Sequence, residues 1–115
     1  MSDQESTATV PAKADPRPDT DKRPRRQPPH AVVLYNDDIN TFEFVVETLR
    51  KVFGYPVEKC FELTLMAHES GRAILWVGTL ELAELKADQI RSRGGDPVMK
   101  DRGALPLKVS VDPQA

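Results

Sequence analysis

The stretch from residue 31 to residue 54 constrains the fold most, because it passes from a buried strand through a polar turn into an amphipathic helix. Residues 31–35 form a short run rich in β-branched side chains, which is typical of a buried strand. Asn40 stands three residues ahead of Glu43, a pair that fits a capping box and predicts a helix over 41–53 that ends at Gly54. The turn between strand and helix carries an amide and two carboxylates: Asn36, Asp37 and Asp38.

The rest of the chain supplies two more helices and two more strands. Pro56 fits the first turn of a second helix over 57–68, and Gly71 ends it. Residues 72–78 predict a strand, and Thr79 caps a third helix over 80–91 that ends before two glycines. Residues 94–104 are expected to form a loop, and the alternation over 107–111 predicts the last strand.

The order β-α-α-β-α-β predicts an α+β domain, in which a three-stranded antiparallel sheet has three helices on one side. In the third helix, Leu82, Leu85 and Ile90, together with Ala83 and Ala87, are expected to pack on that sheet. We assign the domain to residues 30–115. Residues 1–29 hold six of the ten prolines and no Leu, Ile, Phe, Trp or Tyr, so a disordered N-terminal tail is expected there.

Charge and composition exclude several function classes. The basic cluster at 22–26 could suggest nucleic acid or an anionic membrane, but it is short and has no interleaved aromatic residues. From His30 onward, thirteen acidic side chains outnumber ten basic ones. No apolar segment approaches the roughly 20 residues of a membrane helix or the core of a signal peptide, so a cytoplasmic protein is expected. The single cysteine, Cys60, is expected to fill core space.

Catalytic signatures are missing from the sequence, which has no phosphate loop, no Gly-x-Ser-x-Gly turn and no cysteine pair. Asp37, Asp38 and His68 could in principle bind a metal or transfer protons. Two adjacent aspartates on a turn point in different directions, however, and no third scaffolded ligand is evident. We therefore expect neither an enzyme nor a metal or other cofactor.

The polar turn and His68 each have two readings from sequence alone. Asn and Asp are common turn residues that bond their own backbone, and a histidine near a helix end can cap carbonyl groups. The alternative is a binding site for a positively charged group. Thr64 and His68 are four residues apart, and this spacing allows both to face one pocket.

Three separate motifs in order resemble the ClpS family, the adaptors that recognise destabilising N-terminal residues and pass the substrate to a Clp unfoldase and protease. They are Asn36-Asp37-Asp38 with Phe44-Val45, the His68-to-Gly71 spacing, and Ala83-Glu84 with Lys86. The resemblance covers residues 31–85 in register and resumes at Leu-Pro-Leu, residues 105–107.

The resemblance implies a site that reads a free N-terminal Phe, Tyr, Trp or Leu. Asn36, Asp37 and His68 would contact the α-amino group, which is mostly an ammonium at neutral pH. Binding should then weaken below about pH 6, where an imidazolium would face that ammonium. The matching positions of the side-chain pocket are Asp38, Asn40, Phe42, Val45, Thr64 and Leu107.

Departures from the family pattern concern specificity. Thr64 and Phe42 stand where the family often has methionine, and the second of these positions acts as a gate against β-branched residues. Asn40 replaces the more usual threonine. The connection before the last strand is longer than typical, and Leu107 is placed only by matching Leu-Pro-Leu across it.

Delivery is the second function that the resemblance implies. The partner would be the N-terminal domain of a ClpA- or ClpC-like AAA+ unfoldase, docked on Glu81, Glu84 and Lys86, while the flexible tail engages the unfoldase. Without the resemblance, these three residues are an ordinary solvated helix face. A monomer is expected.

A different class of function stays open. The same β-α-α-β-α-β order resembles the C-terminal domain of the ribosomal stalk protein, a docking module without an amino-acid pocket. The chain could then regulate a Clp unfoldase without reading N-termini. An enzyme is the weakest of the three hypotheses.

Overall fold

The computed structural model describes residues 27–114, and the order of its elements confirms the predicted α+β domain. The predicted disordered tail lies outside the described residues as far as residue 26. The described elements are β1 (His30–Tyr35), α1 (Phe42–Phe53), α2 (Val57–Ser70), β2 (Arg72–Gly78), α3 (Leu80–Ser92), a 3₁₀ helix (Pro97–Arg102) and β3 (Val109–Pro113).

The sheet is antiparallel with the order β2-β1-β3, so β1 is the central strand. All four residues from Ala31 to Leu34 are buried, as the apolar run predicts. At one end of β1, the backbone N–H of Gln114 donates to the carbonyl oxygen of Pro29 at 2.8 Å. At the other end, Tyr35 leads into the polar turn, so the central strand holds the turn at one end of the sheet.

Helix α1 begins one residue later than the capping-box interpretation requires, and that interpretation is wrong. Thr41 is the N-cap, and its side-chain oxygen accepts from the backbone N–H of Phe44 at 3.1 Å. The Asn40 side chain instead bonds to Asp37, Leu105 and Asp96. The predicted end is correct: Gly54 adopts a left-handed conformation with φ of 72°, and its N–H donates to Arg50.

Helix α3 packs on the sheet through small residues. Ala83, Ala87 and Ile90 are fully buried, whereas Leu82 and Leu85 are 47% and 51% exposed. The prediction that these two leucines pack on the sheet is therefore wrong. The alanines let the helix approach closely, which turns the larger leucines outward to the surface.

The connection between α3 and β3 is more ordered than the predicted loop. Asp96 caps the 3₁₀ helix by accepting from the backbone N–H of Val98 at 3.0 Å, and Pro97 follows at the first helical position. Strand β3 begins at Val109, two residues later than predicted. Leu107 is nevertheless buried, because the chain before β3 already lies beside β1, where the N–H of Tyr35 donates to Lys108 O.

The core lies between the helices and the sheet. Its members are apolar side chains from α1, α2, α3 and all three strands, and Cys60 is fully buried among them, as expected. Burial raises the pKa of the Cys60 thiol. Within residues 27–114, no helix is both long and apolar enough to cross a bilayer.

Candidate functional site

A cleft of about 200 Å³ opens where β1 ends, between the polar turn, the start of α1, the last turns of α2 and the chain before β3. Its walls include all nine residues that the sequence assigns to the α-amino site and the side-chain pocket. Those residues are Asn36, Asp37, Asp38, Asn40, Phe42, Val45, Thr64, His68 and Leu107. The structure therefore brings the nine together, while their binding roles stay a prediction.

A backbone hydrogen bond joins the two polar parts of the cleft. The N–H of Asn36 donates to the carbonyl oxygen of Gly71 at 3.0 Å. Gly71 ends α2 with φ of 94°, and His68 lies in the last turn of that helix. The turn after β1 is thus tied to the end of α2, which places the exposed His68 imidazole on the same cleft as Asn36.

The Asp37 carboxylate is fixed by three donors. Its Oδ1 accepts from the backbone N–H groups of Ile39 at 2.8 Å and Asn40 at 3.0 Å, and its Oδ2 accepts from the Asn40 side-chain amide. Partial burial raises the pKa of Asp37, but these hydrogen bonds outweigh burial and hold it below the ordinary value. The site therefore carries a negative charge at neutral pH.

These three bonds leave the Asp37 carboxylate one further acceptor position, which can bind a cation. An ionised carboxylate has about four lone-pair positions, and three are used within the turn. Asn36 donates its side-chain amide to Asp38 Oδ1 at 3.1 Å, which leaves its carbonyl oxygen as an acceptor. The polar end of the cleft can thus offer oxygen acceptors from two neighbouring residues.

Apolar groups form the remainder of the cleft. Val45 on α1 and Thr64 on α2 are both buried, as is Leu107 before β3. The Thr64 hydroxyl donates to the carbonyl oxygen of Cys60 at 2.7 Å, so its hydrogen is used within the helix. The ring of Phe42 stands at the start of α1. One end of the cleft is therefore charged and the other end is suited to an apolar side chain.

The sequence missed three lining residues and one buried acid. Leu34, Tyr35 and Ala67 also line the cleft. Ala67 lies three residues after Thr64, so helical spacing could have identified it. Asp96 lies behind the site, and its position before Pro97 is a helix-start pattern that the loop interpretation overlooked.

The predicted docking residues lie on α3, away from the residues that line the cleft. Glu81 and Glu84 are exposed. The Nζ atom of Lys86 lies 5.4 Å from the ring centroid of Phe53 and 5.3 Å from that of Trp76. The Lys86 ammonium therefore lies within cation–π distance of two aromatic rings.

A family model described as the ATP-dependent Clp protease adaptor protein ClpS matches residues 25–109. The ATP-dependent Clp protease adapter protein ClpS of Salmonella arizonae is 42% identical over 72 residues, which cover 61% of this chain and 68% of that protein. The protein of the same name from Erwinia tasmaniensis is 38% identical over 76 residues, which cover 64% of this chain and 72% of that protein.

A solved structure has a similar fold. It is that of Agrobacterium tumefaciens ClpS2 bound to L-phenylalaninamide, with a TM-score of 0.67 and 30% sequence identity. The match covers 77% of this chain and 100% of that chain.

Proposed function

The chain belongs to the ClpS family of ATP-dependent Clp protease adaptor proteins, and we propose that its cleft binds the free N-terminal residue of a substrate protein. One observation carries the proposal: an ionised carboxylate with one remaining acceptor position lines the same cleft of about 200 Å³ as the apolar side chains of Val45 and Leu107. The solved relative is bound to L-phenylalaninamide, which combines a free α-amino group with an aromatic side chain.

The polar end of the cleft suits an α-ammonium group. Such a group has three donors and needs acceptors around it. Asp37 offers a carboxylate oxygen, Asn36 offers its carbonyl oxygen, and His68 offers a ring nitrogen when its imidazole is neutral. Each hydrogen bond that involves a charge contributes roughly 1.5 to 3 kcal/mol.

The apolar end of the cleft suits one large side chain. A benzene molecule fits an apolar cavity of about 150 Å³, so a cleft of about 200 Å³ has room for a Phe, Tyr or Leu side chain and, through its open mouth, for Trp. Burial of such a group contributes about 1.5 to 3 kcal/mol. The Phe42 ring at the entrance disfavours side chains that branch at Cβ.

Recognition requires both ends of the cleft. After the cost of association, the ammonium and side-chain contacts together support a micromolar affinity of about −8 kcal/mol, and neither contact supports it alone. An acetylated N-terminus lacks the charge and two of the donors, which leaves the acceptors of the site unpaired. The adaptor therefore selects a free N-terminus that carries a large apolar residue.

Delivery to the N-terminal domain of a ClpA- or ClpC-like AAA+ unfoldase is the second part of the proposal. Glu81, Glu84 and Lys86 form the docking face on α3, beside the exposed Leu82 and Leu85. Gln27, Pro28 and Pro29 line a groove together with Glu81, so the tail joins the domain next to this face. Fully extended, 29 residues reach at most about 95 Å.

The organisation that follows from the proposal is a two-part chain. Residues 30–115 form the adaptor domain, and residues 1–29 form the tail that engages the unfoldase. The protein acts in the cytoplasm as a monomer and needs no cofactor.

The test is a fluorescence anisotropy titration of the full chain with short peptides that begin with Phe, Leu, Ile or Met. Each peptide is used with a free and with an acetylated N-terminus. We expect micromolar or tighter binding of the free Phe and Leu peptides, weaker binding of the Ile peptide, and loss of binding on acetylation. No binding of any free peptide would disprove the proposed site.

A parallel titration with the isolated N-terminal domain of a Clp unfoldase separates the two parts of the proposal. Binding of that domain without binding of any peptide would favour the alternative, a regulator that docks on the unfoldase and does not read N-termini. Peptide binding without unfoldase binding would disprove the proposed docking.

A further inference from the structure

The Asn40 side chain joins three distant parts of the chain. Its amide nitrogen donates to Asp37 Oδ2 and, at 2.8 Å, to the carbonyl oxygen of Leu105. Its Oδ1 accepts from the backbone N–H of Asp96 at 2.7 Å. Asn40 is only 6% exposed, so these bonds are shielded from water. One amide thus contacts the amine-binding carboxylate and both ends of the α3–β3 connection.

The Asp96 side chain makes a second set of bonds across the same boundary. Its Oδ2 accepts from the hydroxyl and the backbone N–H of Thr41, and its Oδ1 caps the 3₁₀ helix at Val98. Asp96 is 4% exposed, and no positively charged side chain in the described residues forms an ion pair with it. Its charge is therefore stabilised by donors from the start of α1 and from its own loop.

The α3–β3 connection also folds back on itself, so that Gly95 lies against Ala104. A side chain there would place its Cβ 2.6 Å from the carbonyl oxygen of Ala104. The two ends of the loop thus approach closely, and the Asn40 amide bonds to both Asp96 and Leu105. Leu107, which forms part of the apolar wall, follows two residues later.

We propose that Asp96 is a positioning residue of the binding site, which holds the α3–β3 connection against the turn so that the Asp37 carboxylate and the Leu107 wall keep their spacing. Asp96 does not line the cleft and acts through Asn40 and Thr41. The inference rests on the proposed function, because spacing between the two ends matters only if one ligand occupies both. It assigns part of the site's specificity to a residue outside it.

The test compares Asp96→Asn with Asp101→Asn in the full-length protein. Both variants replace a carboxylate with an amide in the same connection, but Asp101 is exposed and lies outside the network. In Asp96→Asn, an amide NH₂ faces a donor of Thr41 or Val98 and leaves it unpaired. We expect about a tenfold loss of affinity for a free Phe peptide and a change in the Phe-to-Leu affinity ratio. Asp101→Asn should stay within about twofold of wild type.

The pKa of Asp37, measured by carbon-13 NMR, provides the readout that a merely structural role would not move. Loss of stability lowers the folded fraction, but native-state resonances report only on folded molecules. We expect the pKa of Asp37 to rise in Asp96→Asn and to stay at the wild-type value in Asp101→Asn. Lys108 acts on Asp37 equally in both variants, since neither changes it.

Thr41→Val is the second variant, because it removes the hydroxyl that donates to Asp96 Oδ2 and leaves Asn40 and Asp37 unchanged. If Asp96→Asn does not fold, Thr41→Val should give a rise in the pKa of Asp37 and a loss of affinity in the same direction. The inference would be overturned if the variant that folds kept the wild-type peptide affinity, the wild-type Phe-to-Leu affinity ratio and the wild-type pKa of Asp37. If wild type binds no peptide, the proposed function fails, and the Asp37 titration alone decides whether the loop positions this carboxylate.

Discussion

The ring of Phe61 on α2 meets the ring of Phe42 edge-on, with ring centroids 4.9 Å apart and an interplanar angle of 62°. Phe42 lines the cleft, whereas Phe61 does not and is 50% exposed. Phe61 therefore supports the Phe42 ring from outside the cleft. Edge-to-face aromatic pairs contribute about 0.5 to 1.5 kcal/mol beyond their buried area.

Phe42→Ala should relax selectivity. Removal of the ring widens the entrance, so we expect the affinity for an Ile peptide to rise at least about threefold relative to a Phe peptide. Phe61→Ala removes a ring of the same size outside the cleft and should produce a smaller change in the same direction. The measurement is anisotropy with both peptides. If the ratio of Ile-peptide to Phe-peptide affinity is unchanged in Phe42→Ala, the Phe42 ring does not exclude side chains that branch at Cβ.

Asp37→Asn should weaken recognition of the free N-terminus. The substitution keeps the shape but removes the charge, so at least about 1.5 to 3 kcal/mol of binding free energy should be lost, which is tenfold or more in Kd. Asp101→Asn is the control for net charge. Tight binding by Asp37→Asn would show that the ammonium is held elsewhere.

His68→Ala should weaken binding of a free N-terminal peptide, because it removes the ring nitrogen that is proposed to accept from the ammonium. One hydrogen bond that involves a charge contributes roughly 1.5 to 3 kcal/mol, so we expect a rise in Kd of about tenfold or more, measured by anisotropy with a free Phe peptide. His30, the other histidine, lies at the far end of β1, so His30→Ala should keep the wild-type affinity. Equal affinities of His68→Ala and wild type would remove His68 from the site.

Lys86→Glu should weaken binding to the unfoldase N-terminal domain at least about fivefold, because it reverses a charge at the proposed docking face. Peptide affinity should not change. Lys59 also lies over an aromatic ring, 4.1 Å from the Tyr55 centroid, but on α2, so Lys59→Glu is the matched control. Isothermal titration calorimetry checks both variants. Equal losses in the two variants would indicate a general charge effect.

Acid should destabilise the domain through its two depressed carboxyl groups. The Thr41 hydroxyl is the main cause that lowers the pKa of Asp96, and the pKa of Asp37 is also below the ordinary value of 3.8. A folded pKa below the unfolded value adds stability that is complete above about pH 5 and is lost as pH falls through 3.8 and below. Wild-type Tm should therefore drop between about pH 5 and pH 3.

The variant Asp96→Asn tests this linkage. Its Tm should lie below the wild-type Tm at pH 7, and the difference should shrink as acid protonates Asp96 in the wild type. For Asp101→Asn, the difference in Tm from wild type should stay nearly constant across the pH range. Thermal melts by circular dichroism at several pH values measure both series. A wild-type advantage over Asp96→Asn that persists unchanged at pH 3 would contradict the assigned cause.

The local elements were predictable because short-range physics determines them. The β-branched run of β1 and the left-handed glycine Gly54 follow from sterics and burial, and the structure has both. The strand-turn-helix geometry then brings Asn36 and Asp37 to one end of the sheet, and helical spacing adds Thr64 and His68.

The wrong predictions concern positions where two neighbouring residues could play the same structural role. Asn40 and Thr41 are both good cap residues, and the tertiary contacts from Asp96 and Leu105 decide between them. The sequence predicts that Leu82 and Leu85 pack on the sheet beside Ala83, Ala87 and Ile90, but only the alanines and Ile90 are buried. The choice of cap depends on Asp96 and Leu105, which lie 56 and 65 positions from Asn40, so no local pattern encodes it.

The hydrogen bond between Gln114 and Pro29 means that the described domain begins and ends side by side. That junction lies at the opposite end of β1 from the polar turn, a strand length of roughly 17 Å away. A short linker could therefore join the two ends, and the chain could be reopened at the exposed Gly54 between α1 and α2. Such a circular permutant would keep every residue of the cleft, and its tail would leave the domain at a different place. The point at which the tail is attached would then become an independent experimental variable.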